Sequence, residues 1–265
     1  MASNILKSSS LQKVNSHIYN RLGIHIPTER LYLLESKISR ILGKGGYASI
    51  EDLVAALEDG HPASIEALAT HVTTNHTFFF REESHFSTLA DRITEARTAK
   101  PVIWSAACST GEEPYSIIMT LLARGLKDFL VIASDVNPIV LEHMNRGVFS
   151  EARMTGVPTK FREMFFNPVD DDLYQILPII RKHLRIKKIN LMEQVRFESP
   201  VDHVFCRNLL IYFDRRNTGI IVGNLVRNMK SGGHLFIGKS EVLLSPPTGL
   251  RKLDGSVYIK SRDTE

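Results

Sequence analysis

The stretch Val102-Ile-Trp-Ser-Ala-Ala-Cys-Ser-Thr-Gly-Glu-Glu-Pro-Tyr115 decides the fold. Its apolar first half, residues 102–107, reads as a buried strand. It turns polar through Cys108, Ser109 and Thr110, and a helix follows from Pro114. Open α/β sheets place their ligands just beyond the carboxyl ends of their strands. A second stretch has the same design: a strand resuming at Val204 runs into Cys206-Arg-Asn-Leu-Leu-Ile-Tyr-Phe-Asp214. Two such crests, in the order of an early and a central strand, point to one shared pocket.

Outward from these crests the alternation continues. A helix around Phe86, Leu89 and Ile93 leads into the first strand. A strand over residues 129–134 ends at Asp135, and a helix covers residues 138–145. Strand, helix, strand, helix at this spacing predicts a parallel, doubly wound, Rossmann-like sheet. Residues 160–192 break the pattern and read as an inserted helix with a small antiparallel β-subdomain around residues 167–190, its strands near 174–177 and 183–189. After Val204 come a helix over 215–229 and a strand over 234–238. A closing hairpin turns at Asp254-Gly255.

The first part of the chain has a different texture. Leu11, Val14, Ile18 and Leu22 recur at helical spacing after Ser10, which reads as an N-cap, and Gly23 ends the run. A second helix is expected from Pro27 to Gly43, with Leu31, Leu34, Ile38 and Ile41 on one side. Ser49 with Asp52 resembles a capping box, and Pro62 opens a fourth helix. The expected organisation is an all-α domain over residues 1–73, a linker and connecting helix over 74–98, and an α/β domain over 99–265.

Bulk properties narrow the class. No apolar run approaches the ~20 residues of a membrane span, and Met1 to Ser10 has no signal-peptide core. Cys108 and Cys206 both fall at strand ends rather than in spaced pairs, which argues against a disulfide framework or cysteine metal site and for a reducing cytoplasm. The net charge of +4 is mild. The densest basic run, residues 181–188, lacks interleaved aromatic rings and reads as a solvated strand face rather than a nucleic-acid track. A monomer is expected.

Several residues near the crests carry chemistry. Gly111 tolerates a close backbone approach that a side chain would block, or it is a plain strand-to-helix turn. The loop is not a Gly-x-Gly-x-x-Gly fingerprint, so a pyrophosphate cradle is not expected. Glu112 and Glu113 open the next helix, where they either cap it or hold a cationic ligand group. Asp135 stands where an acid accepts ribose hydroxyls in nucleoside-binding folds, although an Asp before Asn137-Pro138 can also form a turn. In Thr73-Thr-Asn-His-Thr-Phe-Phe-Phe-Arg-Glu82, the phenylalanines read as core or lid packing. Arg81 is either a surface ion-pair partner or a bidentate ligand for a carboxylate.

These motifs resemble the bacterial chemotaxis receptor methyltransferases, the CheR family of S-adenosylmethionine-dependent protein-glutamate O-methyltransferases. The matching segments are residues 73–82, Ser105-Ala-Ala-Cys-Ser-Thr-Gly-Glu-Glu-Pro-Tyr-Ser116 and Cys206 to Asp214. Ala133-Ser-Asp-Val-Asn137 and Gly232-Gly-His-Leu-Phe-Ile-Gly-Lys-Ser-Glu241 match as well, as does the helical N-terminal part. The resemblance runs from about residue 10 to residue 260. It implies a class I methyltransferase sheet with a small antiparallel β-subdomain insertion and an N-terminal all-α domain. Cofactor-binding roles fall on Asn75, Thr77, Arg81, Glu113, Asp135, Asn190, Leu191, Arg207 and Asn208. Arg81 and Tyr212 would be the catalytic pair, steering a carboxylate and standing next to the reacting methyl. Lys37 and Arg40 would face the acidic cytoplasmic helix of a receptor, or else form a solvated helix face.

The implied chemistry needs no metal and no general base, because an acceptor glutamate with pKa ~4.3 is ionised near neutral pH. Two rivals remain: a catalytically inactive S-adenosylmethionine-binding sensor or scaffold, and a methyltransferase for RNA or a small molecule. The second would want a basic aromatic surface or a base-flipping pocket, neither of which the sequence offers. Some family members dock a receptor's C-terminal tether peptide on a glycine-rich loop of the subdomain. Residues 167–188 carry Asp170-Asp-Asp172 and no glycine, so tether-independent action is expected.

Overall fold

A computed structural model describes residues 2–261 of the chain. It divides into two compact units, one formed by residues 2–74 with 212–218, the other by residues 75–211 with 219–261.

The first unit is built on four helices: α1 (Ala2–Leu22), α2 (Tyr32–Gly45), α3 (Ile50–Glu58) and α4 (Pro62–Val72). Their apolar faces supply its core, with Val14, Ile18, Leu34, Ile38, Ile41, Leu53, Leu57 and Leu68 all buried. Ser49 is the expected cap of α3, its hydroxyl accepting the Asp52 amide at 3.1 Å, and Pro62 opens α4 as expected. Three expectations need correction. Ser10 lies inside α1 rather than capping it, and its hydroxyl donates to Glu51 of α3 at 2.9 Å. Helix α2 starts at Tyr32, after a 3-10 turn over Thr28–Arg30, instead of at Pro27. It also runs past Gly43, because the glycine that adopts the left-handed stop is Gly46, φ 73°. The unit holds one short strand-like contact, an antiparallel bridge between Ile24 and Phe213.

The second unit starts its regular structure with α5 (Ser84–Ala96), β1 (Val102–Ala106), α6 (Glu112–Ala123), β2 (Leu130–Asp135) and α7 (Pro138–Arg146). Then come β3 (Val148–Ser150), α8 (Thr159–Phe165), β4 (Phe166–Asp170), β5 (Leu173–Ile176), α9 (Pro178–Arg181) and β6 (Leu184–Lys188). It closes with β7 (Val201–Cys206), α10 (Arg215–Arg227), β8 (Met229–Ile237), β9 (Leu250–Asp254) and β10 (Val257–Lys260). The large sheet has the order β6-β2-β1-β7-β8-β10-β9. Its first five strands are parallel, and the β9–β10 hairpin is antiparallel, with β10 inserted beside β8. The strand order reverses at β1, so the crevice of such a sheet opens between the carboxyl ends of β1 and β7. That is where both crests fall.

Helix α6 begins at Glu112, two positions before Pro114, because Gly111 at φ 99° already ends the loop. The small antiparallel sheet is present, but its membership differs from expectation. Its order is β3-β5-β4, so residues 148–150 join it from outside the 167–190 window. The basic strand expected within it, β6, instead pairs in parallel with β2 at the edge of the main sheet. Ile186 and Leu184 account for the switch: they turn inward beside the β2 core, while Arg185, Lys187 and Lys188 face out or half out.

Candidate functional site

The site is built around the loop from Ala107 to Gly111. Ala107, Ser109 and Gly111 all take left-handed backbone conformations, at φ 58°, 51° and 99°. This tight path turns the Ser109 amide toward the end of β2, where it donates to Asp135 Oδ2 at 2.9 Å. Gly111 answers a real steric demand, but not the one expected: a Cβ there would stand 2.4 Å from Met144 Cγ, so the close approach is to helix α7.

Asp135 forms the turn that the sequence offered as one of its two roles. Oδ1 accepts the Asn137 amide at 3.0 Å, which is the turn-forming role. A carboxylate has about four acceptor positions, and with the Ser109, Asn137 and Val136 amides on three of them one is left for a hydroxyl donor. Burial raises its pKa, and the Asn137, Ser109 and Val136 amides oppose that rise. Asn190 and Leu191 lie just beyond the strand that pairs with it, since Asp135 is in register with Lys188. Ile189 N–H also donates to the Asp135 carbonyl at 3.0 Å. Asn190 accepts the Met192 amide at 3.1 Å, and buried Leu191 gives its carbonyl to Asn224 at 2.8 Å.

The other side of the crevice is charged. Glu113 accepts the Ser105 hydroxyl at 2.6 Å and lies 3.6 Å from Arg207 Nε. Burial raises the Glu113 pKa, with Arg207 the main opposing influence. The Arg207 guanidinium is 1 % exposed and is shared between Glu113 and Glu82, the latter 3.5 Å away. It also donates to the carbonyl of Arg81 and sits over the rings of Phe86 and Phe205. Arg207 Nη1 and Glu82 Oε2 are buried without a hydrogen-bond partner. Glu112 is different in kind. It is fully buried and paired with Arg153, which also donates to Thr110 at 2.7 Å. Its charge is therefore spent inside the protein, which separates two adjacent acids that the sequence alone could not tell apart.

Residues 75–82 run alongside this loop. The Asn75 carbonyl accepts the Ser109 hydroxyl at 3.2 Å, and the Phe80 amide donates to Ser116 of α6 at 2.9 Å. Phe79 is buried among Phe149 and Phe166 of the small sheet, whereas Phe78 is exposed and carries the Arg81 guanidinium 5.5 Å from its ring centre. Thr77 and Arg81 are both half-exposed. The structure thus gathers Asn75, Arg81, Glu113, Asp135, Asn190, Arg207 and Asn208 along the carboxyl edge of one sheet, with Thr77 on the strap beside it.

Lys37, Arg40 and Tyr212 belong to the first unit. Lys37 is neither freely solvated nor free for a partner: its ammonium donates to the Val72 carbonyl at the end of α4, 2.6 Å away, and burial lowers its pKa. Arg40 is exposed. The half-exposed Tyr212 accepts the His25 amide through its carbonyl at 3.1 Å.

Sequence reasoning overlooked four participants. Ser105, Glu82 and Glu241 lie within the quoted motifs and could have been flagged by their polarity beside apolar runs. Arg153 falls in an unremarkable stretch and carried no local signal.

The matches to known proteins fit this geometry. Residues 75–259 match the family described as CheR methyltransferase, SAM binding domain, and residues 9–73 match the CheR methyltransferase all-alpha domain. The chain belongs to the CheR methyltransferase family. A chemotaxis protein methyltransferase of Borreliella burgdorferi is 34% identical over 91% of this chain and 90% of its own length. A probable chemotaxis protein methyltransferase of Rhizobium etli is 34% identical over 84% of this chain and 89% of its own. A probable biofilm formation methyltransferase of Pseudomonas aeruginosa is 36% identical over 83% of this chain and 58% of its own. A CheR SAM-binding domain suits the donor set seen here. Asp135 is an acid with spare acceptor capacity for a ribose, and the Glu113 carboxylate offers a partner for the ammonium of an amino-acid end. No group of His, Cys, Asp and Glu among the described residues could hold a metal ion.

Proposed function

We propose that this chain transfers the methyl group of S-adenosylmethionine to glutamate side chains of chemotaxis receptors, forming methyl esters and releasing S-adenosylhomocysteine. The observation that carries the reading is the pairing of Asp135 and Glu113 on either side of the β1 crest, at the point where the strand order reverses. Family membership over most of the chain supports it.

When bound, the cofactor supplies an electrophilic methyl on a sulfonium centre. The acceptor glutamate is ionised near neutral pH, with pKa ~4.3, so no residue of the chain has to take a proton. Asp135 accepts a ribose hydroxyl, and Asn190 and Leu191 flank the adenine. Glu113 takes the ammonium of the methionine end, and Asn75, Thr77, Arg207 and Asn208 close around it. Arg81, held over Phe78 and half-exposed, steers the incoming carboxylate. Alignment and exclusion of water are then the sources of rate, since transfer from a cation to an anion neutralises charge that water would stabilise.

The partner is the cytoplasmic helical region of a receptor, approached by exposed Arg40. The β4–β5 turn, Asp170-Asp171-Asp172, offers no glycine for a tether peptide, so the enzyme works without one; micromolar affinity for a receptor tail peptide would contradict that. The test of the whole reading is incubation with methyl-labelled donor and receptor-containing membranes. Label that base releases as methanol supports it. Absent or base-stable label contradicts it.

A further inference from the structure

One buried carboxylate at the crests has no role in the reading above. Glu241, 5 % exposed, gathers three backbone amides from two chain segments. Its Oε2 accepts Asn208 N–H at 2.8 Å and Gly238 N–H at 2.6 Å, and its Oε1 accepts Leu210 N–H at 2.7 Å. Those segments leave adjacent parallel strands, β7 and β8, at their carboxyl ends. The carboxylate therefore staples together two loops that nothing in the sheet ladder holds beyond Cys206 and Ile237.

What it staples is a strained conformation. Asn208 sits at φ 56°, a left-handed geometry that a non-glycine residue keeps only when its surroundings impose it. Gly238 leaves no room for an alternative: a Cβ there would stand 2.5 Å from Asn208 Nδ2 and 2.8 Å from Glu241 Oε2. Held this way, Asn208 points Nδ2 at Glu82 Oε1, 3.4 Å away, and the other Glu82 oxygen faces Arg207 Nε. Arg207 in turn faces Glu113. A core carboxylate serving stability alone would not need to terminate in this chain of charged groups.

We propose that Glu241 is a positioning residue for cofactor binding. It touches neither cofactor nor acceptor, and it acts by holding Asn208 in the left-handed conformation that sets Glu82 and Arg207 against Glu113. This rests on the cofactor site as assigned above.

The test is calorimetric titration of S-adenosylhomocysteine into the full chain and three variants. Glu241→Gln keeps the shape but turns one acceptor into a donor facing an amide, and affinity should fall about 10- to 100-fold. In Asn208→Gly the left-handed backbone carries no strain, so adding Glu241→Gln to that variant should cost several-fold less than it does in the wild type. Additive effects, or unchanged affinity in a folded Glu241→Gln chain, would overturn the proposal. If Glu241→Gln does not fold, Gly238→Ala interrogates the same clamp from its other side: a similar loss of affinity supports it and none overturns it. Wild-type protein that binds the probe yet methylates no receptor would sink the acceptor assignment and leave the clamp standing. Wild-type protein that does not bind would sink the site and the clamp together.

Discussion

Ser109 N–H meets Asp135 Oδ2 at 2.9 Å, joining the loop after β1 to the last residue of β2. This single bond connects the tight backbone of the first crest to the acid expected to read a ribose, and it orients that acid toward the crevice. Asp135→Ala should therefore weaken S-adenosylhomocysteine binding by about 10- to 150-fold, the equivalent of one hydrogen bond to a charged group. Asp135→Asn, which keeps the shape and the turn, should lose less. Calorimetry reads both.

Cofactor affinity should depend on pH in a defined direction. Burial raises the pKa of Asp135 and of Glu113, so both protonate before ordinary carboxylates as the solution is acidified. Affinity should be full near neutral pH and fall on acidification from above the usual carboxylate range. In Asp135→Asn the residual dependence should belong to Glu113 alone. A pH series of the same titration checks this.

Much of this arrangement was legible beforehand. Residues 102–107 and 129–135 announced parallel strands because both are buried on two faces and end in polar residues. Ser49 and Pro62 announced helix starts through local chemistry alone. What failed was set by tertiary context. Nothing local distinguishes Gly43 from Gly46 as the stop of α2, and β6 looks like any basic alternating strand until β2 is found beside it. Likewise Glu112 and Glu113 are neighbours of identical chemistry. Only Arg153, forty residues on in the chain, makes one structural and leaves the other facing Arg207.

Gly111→Ala should destabilise the second unit by about 1–3 kcal/mol, from positive φ and overpacking together. The added methyl would meet Met144 at its Cγ and Sδ, and a flexible methionine can yield only part of the way. A companion Met144→Ala change should cost less in the Gly111→Ala variant than in the wild type, and thermal melting of the single and double variants measures it.

Arg207→Ala should be the most damaging single change at the site, at about 3–5 kcal/mol, because it strands Glu82 and Glu113 without their buried cation. Arg207→Lys should rescue only partly, since a point charge cannot serve two carboxylates and the Arg81 carbonyl at once. Denaturant unfolding of the two variants against wild type tests this.

Stability should also fall on the acid side. His203 is buried against His234, and burial, reinforced by His234, pushes its pKa down to about 3. His85 is held at about 4 by burial and by Arg207. Both are neutral in the folded chain, whereas the unfolded chain takes up protons below pH ~6.5. Their stabilising contribution is therefore complete above that pH and is lost progressively as pH falls toward 4 and below. His203→Phe should be less stable at neutral pH, through loss of the contact with His234, but should show a shallower decline on acidification. Melting temperatures from pH 7 to pH 4 decide it.

The most direct measurement is mass spectrometry of a receptor's cytoplasmic fragment after incubation with this protein and S-adenosylmethionine. The account predicts added methyl groups on glutamate side chains, removed by mild base and absent when those glutamates are replaced by alanine. Methyl groups on nitrogen, on another residue type, or on no residue of a receptor while the protein binds the cofactor would contradict it.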